Sequence, residues 1–151
     1  MTIDAPVPAT TAVEPLHGLP IIVTGGASGL GAAVAGRLLV DGATVTVLDR
    51  QQPPGDIAAV GVDLADRRAT EEAVRQVARQ DGGLWAVVTC AGVDVPGRLE
   101  DVDPEVWERV VAVNLLGTAA VVRAALPWLR ESHGRIVTVA STLGHRAVSD
   151  A

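Results

Sequence analysis

Residues 20–40 read Pro-Ile-Ile-Val-Thr-Gly-Gly-Ala-Ser-Gly-Leu-Gly-Ala-Ala-Val-Ala-Gly-Arg-Leu-Leu-Val, an apolar β-type run that breaks into glycines and then into a helical pattern. Glycine tolerates positive φ and carries no Cβ, so the chain can turn sharply there. A charged group can then approach main-chain N–H groups at the start of the following helix. Leu30, Val34 and Leu38 at i, i+4 and i+8 predict an amphipathic helix that stops at Asp41-Gly42. A strand, a glycine turn and a helix in this order predict a dinucleotide pyrophosphate site.

The same alternation continues downstream. Short Val/Ile/Ala/Leu-rich runs at 43–48, 58–62, 84–90 and 135–140 are separated by helical segments, which predicts an α/β fold on a parallel sheet. Residues 66–80 place Ala69, Ala73 and Val77 on one face and charged residues elsewhere, the pattern of a half-exposed crossover helix. Asp103 and Pro104 read as an N-cap and first helical residue, and that helix is expected to reach Leu126, just before Pro127. It carries two apolar stripes, Val106, Val110, Val113, Gly117, Val121 and Trp107, Val111, Leu115, Ala119, Val122. A helix apolar on two sides needs cover on both, from a second subunit of a homo-oligomer or from a segment following Ala151.

A chain of 151 residues suits one domain, and 48% hydrophobic content suggests apolar surface that meets something outside it. The net charge of −6, with arginine as the only cation and aromatics limited to Trp85, Trp107 and Trp128, argues against nucleic acid. Cys90 is alone, and His17, His133 and His145 are scattered, so neither a disulfide nor a local metal motif is expected. Residues 1–18 lack Lys and Arg, which excludes a secretory n-region and reads as a disordered extension of a cytoplasmic protein. Leu19 to Val40 is apolar enough to resemble a membrane span, with Gly25 and Gly29 in small-xxx-small spacing, but Pro20, Gly25-Gly26 and Arg37 argue against it.

Gly25, Gly29 and Gly31 follow Thr24 as Gly-x-x-x-Gly-x-Gly. The first opens the turn, the second admits phosphates, and the third lets helix pack closely on strand. Asp49 ends the second strand 24 residues after Gly25, where a carboxylate accepts both hydroxyls of an adenosine ribose. A 2′-phosphate there would meet like charge of about 4 kcal/mol at roughly 4 Å and an effective dielectric near 20. NAD is therefore favoured over NADP, with Arg50 as the residue that argues the other way.

Together these residues resemble the short-chain dehydrogenases/reductases. Thr24-Gly-Gly-Ala-Ser-Gly-Leu-Gly31 is similar to that family's Thr-Gly-x-x-x-Gly-x-Gly; Asp63-Leu64, Cys90-Ala91-Gly92, Asn114 within Val-Asn-Leu-Leu-Gly, and Ser141 after Arg-Ile-Val-Thr-Val-Ala continue the match. The resemblance, over about residues 18–146, implies a Rossmann-type doubly wound sheet of order 3-2-1-4-5, here without the family's last strands. It implies cofactor contacts from Thr24, Gly25, Ser28, Gly29, Leu30, Gly31, Asp49, Asp63, Leu64, Cys90, Ala91 and Gly92. Asp63 would bond the adenine amino group, or else serve as a turn residue. Where the family has Asn-Asn-Ala-Gly this chain has Thr89-Cys90-Ala91-Gly92, and Thr89 is expected to bond backbone instead. Cys90 is expected to behave as a small apolar residue.

The resemblance further implies hydride transfer between a nicotinamide and an alcohol or carbonyl substrate. Ser141 would bond the reacting oxygen, and Asn114 would anchor a water in the proton relay. The family's Tyr-x-x-x-Lys would begin thirteen residues after Ser141, three positions past Ala151, and the chain contains neither residue type. His145 and Arg146 are no substitute. The expectation is thus the N-terminal part of an NAD(P)-dependent oxidoreductase, inactive alone. A non-catalytic NAD-binding module and a non-binding relic serving as an interaction surface remain as alternatives. The substrate is not readable; Leu143, Gly144 and residues 93–99 supply at most one wall of its pocket.

Overall fold

The computed structural model describes residues 16–98 and 100–142. Five strands, β1 (Pro20–Thr24), β2 (Thr44–Asp49), β3 (Ala58–Gly61), β4 (Ala86–Thr89) and β5 (Arg135–Thr138), pair in parallel in the order β3-β2-β1-β4-β5. This is the Rossmann-type order expected. The direction of winding reverses between β1 and β4, and open α/β sheets bind ligands at the carboxyl edge of such a switch point. Register brings Leu48, Thr24 and Thr89 side by side at that edge.

Strands β1 and β4 read as near-continuous apolar runs, and Thr46 of β2 is buried with its apolar neighbours, because both faces of the sheet are covered. On one face Ile22, Leu48 and Val87 meet Val74 and Val77 of helix α2 (Arg67–Gln80) and Val121 and Ala125 of helix α4 (Thr118–Ser132). On the other, Ile21, Val23, Val45, Val47 and Val88 meet Ala35 of helix α1 (Gly29–Val40). Each fully buried Val, Leu or Ile contributes about 1.5–3 kcal/mol.

The helices differ locally from the expected pattern. Helix α1 buries Gly31 and Ala35, with Val34 and Leu38 packed beside them, while Leu30 is 57% exposed. In α2 the buried face holds Thr70, Ala73, Val74, Val77 and Ala78, and Ala69 faces outward. The helix after Asp103 does not stop at Leu126. Helix α3 (Pro104–Val111) passes through one widened π-type turn, Ala112–Gly117, into α4, which continues through Pro127 to Ser132. An internal proline removes one helix hydrogen bond and costs about 3 kcal/mol. Burial of Val121, Ala124, Ala125 and Leu129 on the same helix outweighs that cost.

By length and hydropathy the continuous Pro104–Ser132 helix would pass for a membrane span. Its buried face instead packs on α2 and β4. Of its two stripes, the first is the covered one, with Val113, Gly117 and Val121 buried. The second leaves Trp107 and Leu115 exposed, at 52% and 63%. Strand β5 ends the sheet among the described residues, with Ile136 and Val137 exposed on opposite faces.

Of the expected extension over residues 1–18, residues 1–15 lie outside the described residues. Leu16 packs against the α1-side core, and the Gly18 N–H donates to the Gly42 carbonyl. Leu143, Gly144, His145 and Arg146 also lie outside the described residues.

Candidate cofactor cleft

The turn after β1 is built by contacts a side chain would block. Gly25 has φ +71°, and a Cβ there would stand 2.7 Å from the Ala91 backbone. Its N–H donates to the Leu48 carbonyl, so the turn begins inside the sheet. Thr24, fully buried, accepts the Ala91 N–H on Oγ1 at 3.1 Å and the Cys90 N–H on its carbonyl at 3.2 Å. These bonds draw the exit of β4 against the turn. A Cβ on Gly31 would collide with the Gly25 carbonyl, so that glycine permits α1 to start where it does.

Gly29 differs. It has φ +51°, and nothing stands within 4 Å of where its Cβ would be. Ser28 before it holds the N-cap position of α1 with no side-chain cap bond, and the first turn carries no acidic residue. The N-terminal N–H groups and the positive end of the helix dipole are therefore available to an anion.

A cleft of about 420 Å³ opens at this edge. Its walls include Gly25, Ser28, Gly29, Leu30, Asp49, Asp63, Leu64, Cys90, Ala91 and Gly92 from the expected set. Thr24 and Gly31 stand behind the wall as supports. Ala27, Arg50, Gln51, Val62, Val93, Arg109 and Val113 line it too.

Asp49 closes the turn from β2. One carboxylate oxygen accepts the Ala27 N–H and the other the Gln51 N–H, each at 3.0 Å. A carboxylate offers about four acceptor positions, so each oxygen retains one for a ribose hydroxyl. Asp63 is tied differently, accepting the Ala65 N–H at 3.0 Å and pairing with Arg109 of α3. Burial pushes its pKa up, but the Ala65 N–H, the Arg109 guanidinium and the charge of Arg50 outweigh burial and hold it below the ordinary carboxylate value. Burial also pushes the Cys90 thiol up, which suits a small apolar wall residue rather than a nucleophile.

Asn114 lies in the π-type turn. Its Nδ2 donates to the Val93 carbonyl and its Oδ1 accepts the Val93 N–H, both at 2.8 Å. One amide thereby pairs with the backbone leaving β4 as a neighbouring strand would. In the same turn Gly117 lies so close to Leu64 that a Cβ would stand 2.8 Å from its carbonyl oxygen. Ser141 is exposed, three residues beyond the end of β5, and does not line the cleft. Thr89 departs from expectation: its buried Oγ1 finds no hydrogen-bond partner among the described residues.

Arg109 was missed from sequence because its partner is 46 positions away and no local spacing links them. Only its place four residues before Val113 and five before Asn114 could have hinted at it.

Residues 20–150 match the family model described as short chain dehydrogenase. Over 142 residues the chain is 32% identical to a 2,5-dichloro-2,5-cyclohexadiene-1,4-diol dehydrogenase of Sphingobium indicum, covering 85% of this chain and 57% of that protein. The D-beta-hydroxybutyrate dehydrogenase of Cupriavidus necator is likewise 32% identical, over 85% of this chain and 55% of its own. A short chain dehydrogenase from Burkholderia cenocepacia, solved in complex with NADP, superposes with a TM-score of 0.82 and 32% identity, covering 91% of this chain and 61% of its own. The chain spans about half the length of the curated relatives it matches. A parallel sheet of this order, a glycine turn packed in this way and a match over residues 20–150 make the chain a member of the short-chain dehydrogenase family.

Proposed function

We propose that this chain carries the dinucleotide-binding portion of an oxidoreductase that moves hydride between NAD and an alcohol or carbonyl compound. The observation that carries the reading is the cleft at the switch point, where an uncapped helix start and the Asp49 carboxylate face one space. The open position at Gly29 fits a phosphate, and the remaining acceptor positions of Asp49 fit a ribose diol. NAD rather than NADP follows from the Asp49 charge, although the related Burkholderia cenocepacia structure holds NADP. Arg50 here lends its charge to Asp63.

The bound nicotinamide would supply or accept the hydride. Around it Gly25, Ser28, Gly29, Leu30 and Gly31 would hold the pyrophosphate, and Asp63 with Leu64 the adenine. Cys90, Ala91 and Gly92 would lie along the coenzyme without bulk. Asn114 would use the amide proton and lone pair not taken by Val93 to hold a relay water, and Ser141 would bond the substrate oxygen. General acid–base catalysis is worth about 10²–10⁴-fold, and the chain holds no tyrosine or lysine to supply the family's proton donor. We expect these 151 residues to bind the coenzyme and turn over no alcohol by themselves.

The same cleft also fits a second reading, a non-catalytic NAD-binding module. Both readings require a saturable NAD titration of tryptophan emission, weakened about tenfold or more by Asp49→Ala. NAD-dependent oxidation of an alcohol by the chain would overturn the expected inactivity and rule out the second reading. No saturation at millimolar NAD would refute both. The uncovered stripe carrying Trp107 and Leu115 supports homo-oligomerisation as part of the same proposal.

A further inference from the structure

The Arg109–Asp63 pair does more than the coenzyme reading asks of Asp63. Nη2 of Arg109 donates to Asp63 Oδ2 at 3.0 Å and to Oδ1 at 3.2 Å, and Oδ1 also accepts the Ala65 N–H. Arg109 comes from α3 and Asp63 from the loop after β3, so the pair ties together two elements that both line the cleft. The side chains are 40% and 39% exposed, and an ion pair so exposed adds little to fold stability.

Its chemical effect is larger. A carboxylate at a loop end can rotate and can pick up a proton to become a donor. Here two donors from different directions fix its plane, and positive charge keeps it ionised. Three of its roughly four acceptor positions are then taken, which leaves one on Oδ2. A fixed acceptor of this kind rewards an amino group and repels a carbonyl oxygen.

We propose that Arg109 is a positioning residue that makes the cleft select a 6-amino purine over a 6-oxo purine, by holding Asp63 as a fixed acceptor. The proposal rests on the reading of the cleft as a dinucleotide site. NAD and nicotinamide hypoxanthine dinucleotide differ at that group and at the adjoining ring N1, which gains a hydrogen in the 6-oxo base, and nowhere else, so they are the probes.

Calorimetric titration of the chain with each should show NAD preferred by about tenfold or more, the size of a hydrogen bond to a charged group. Arg109→Ala should shrink the preference to about threefold or less, chiefly by weakening NAD, and Arg109→Lys should retain part of it. In an Asp63→Ala background, Arg109→Ala should leave the ratio unchanged, because the residue acts through Asp63. A merely structural Arg109 would instead weaken both dinucleotides equally. An undiminished preference in folded Arg109→Ala and Arg109→Lys proteins overturns the proposal, as does a parent chain that binds both dinucleotides alike. A parent chain that binds neither removes the dinucleotide reading and this inference with it.

Discussion

Alanine at each glycine of the turn should separate folding from binding. At Gly31 an added Cβ would lie inside the Gly25 carbonyl, 2.6 Å from its carbon and 3.0 Å from the Gly26 nitrogen. Those atoms are backbone and cannot rotate away, so α1 must shift, at a cost of about 1–3 kcal/mol for overpacking. At Gly25 the same kind of clash, 2.7 Å from the Ala91 Cα and N, adds to the strain of φ +71°. Left-handed backbone costs a residue with a Cβ about 1–2 kcal/mol, so Gly25→Ala should lose about 2–5 kcal/mol in all. Gly29→Ala meets nothing and bears only the strain of φ +51°, about 1–2 kcal/mol. At about 2–4 °C per kcal/mol for a chain of this size, Gly29→Ala should melt about 2–8 °C below the parent and Gly25→Ala about 4–20 °C below. Binding should rank the other way among the folded variants. Gly29 lines the cleft at the start of α1, so a methyl there should weaken NAD at least about tenfold. Thermal melts by circular dichroism and NAD titrations of the same samples read both quantities. Gly29→Ala melting as low as Gly25→Ala, or binding NAD like the parent, would refute this division of labour.

Acid stability and association give two further tests. Asp63 and Glu72 are held below ordinary carboxylate values, Asp63 despite its burial and Glu72 chiefly by its bond to Arg79. A depressed folded pKa stabilises above the unfolded value near about 4 and is lost as pH falls through the folded one. Urea stability should therefore stay level down to about pH 5 and fall below about pH 4, and Arg109→Ala should make that fall slightly shallower, because Asp63 then has less stabilisation to lose on protonation. A fall that is steeper in the variant contradicts the pairing. Light scattering at micromolar concentration should return a mass above the 15.5 kDa of one chain, and Leu115→Glu should lower it. A clean monomer in the parent protein would refute the association.

Much of the fold was legible because its signals are local. Apolar runs buried on both faces look the same in sequence as in the sheet, and Thr24 to Gly31 specifies its turn within eight residues. Asp49 was readable as the acid ending β2, though its bond to the Ala27 N–H was not. The failures are tertiary. Pro127 reads locally as a stop, yet core packing on either side carries the helix through it. Leu30 fits the apolar spacing of α1, but the close approach that Gly31 and Ala35 allow turns the helix so that Leu30 faces the cleft. The pairing of Asn114 with Val93 and the reach of Arg109 to Asp63 join residues at least 21 positions apart, beyond any periodicity.

The dinucleotide reading of the cleft is tested by a crystal of the chain grown or soaked with NAD: pyrophosphate density is expected over Gly29 at the start of α1, with the adenosine ribose hydroxyls on the Asp49 carboxylate and the adenine beside Asp63. Coenzyme density elsewhere on the chain, or an empty cleft at saturating NAD, would contradict it.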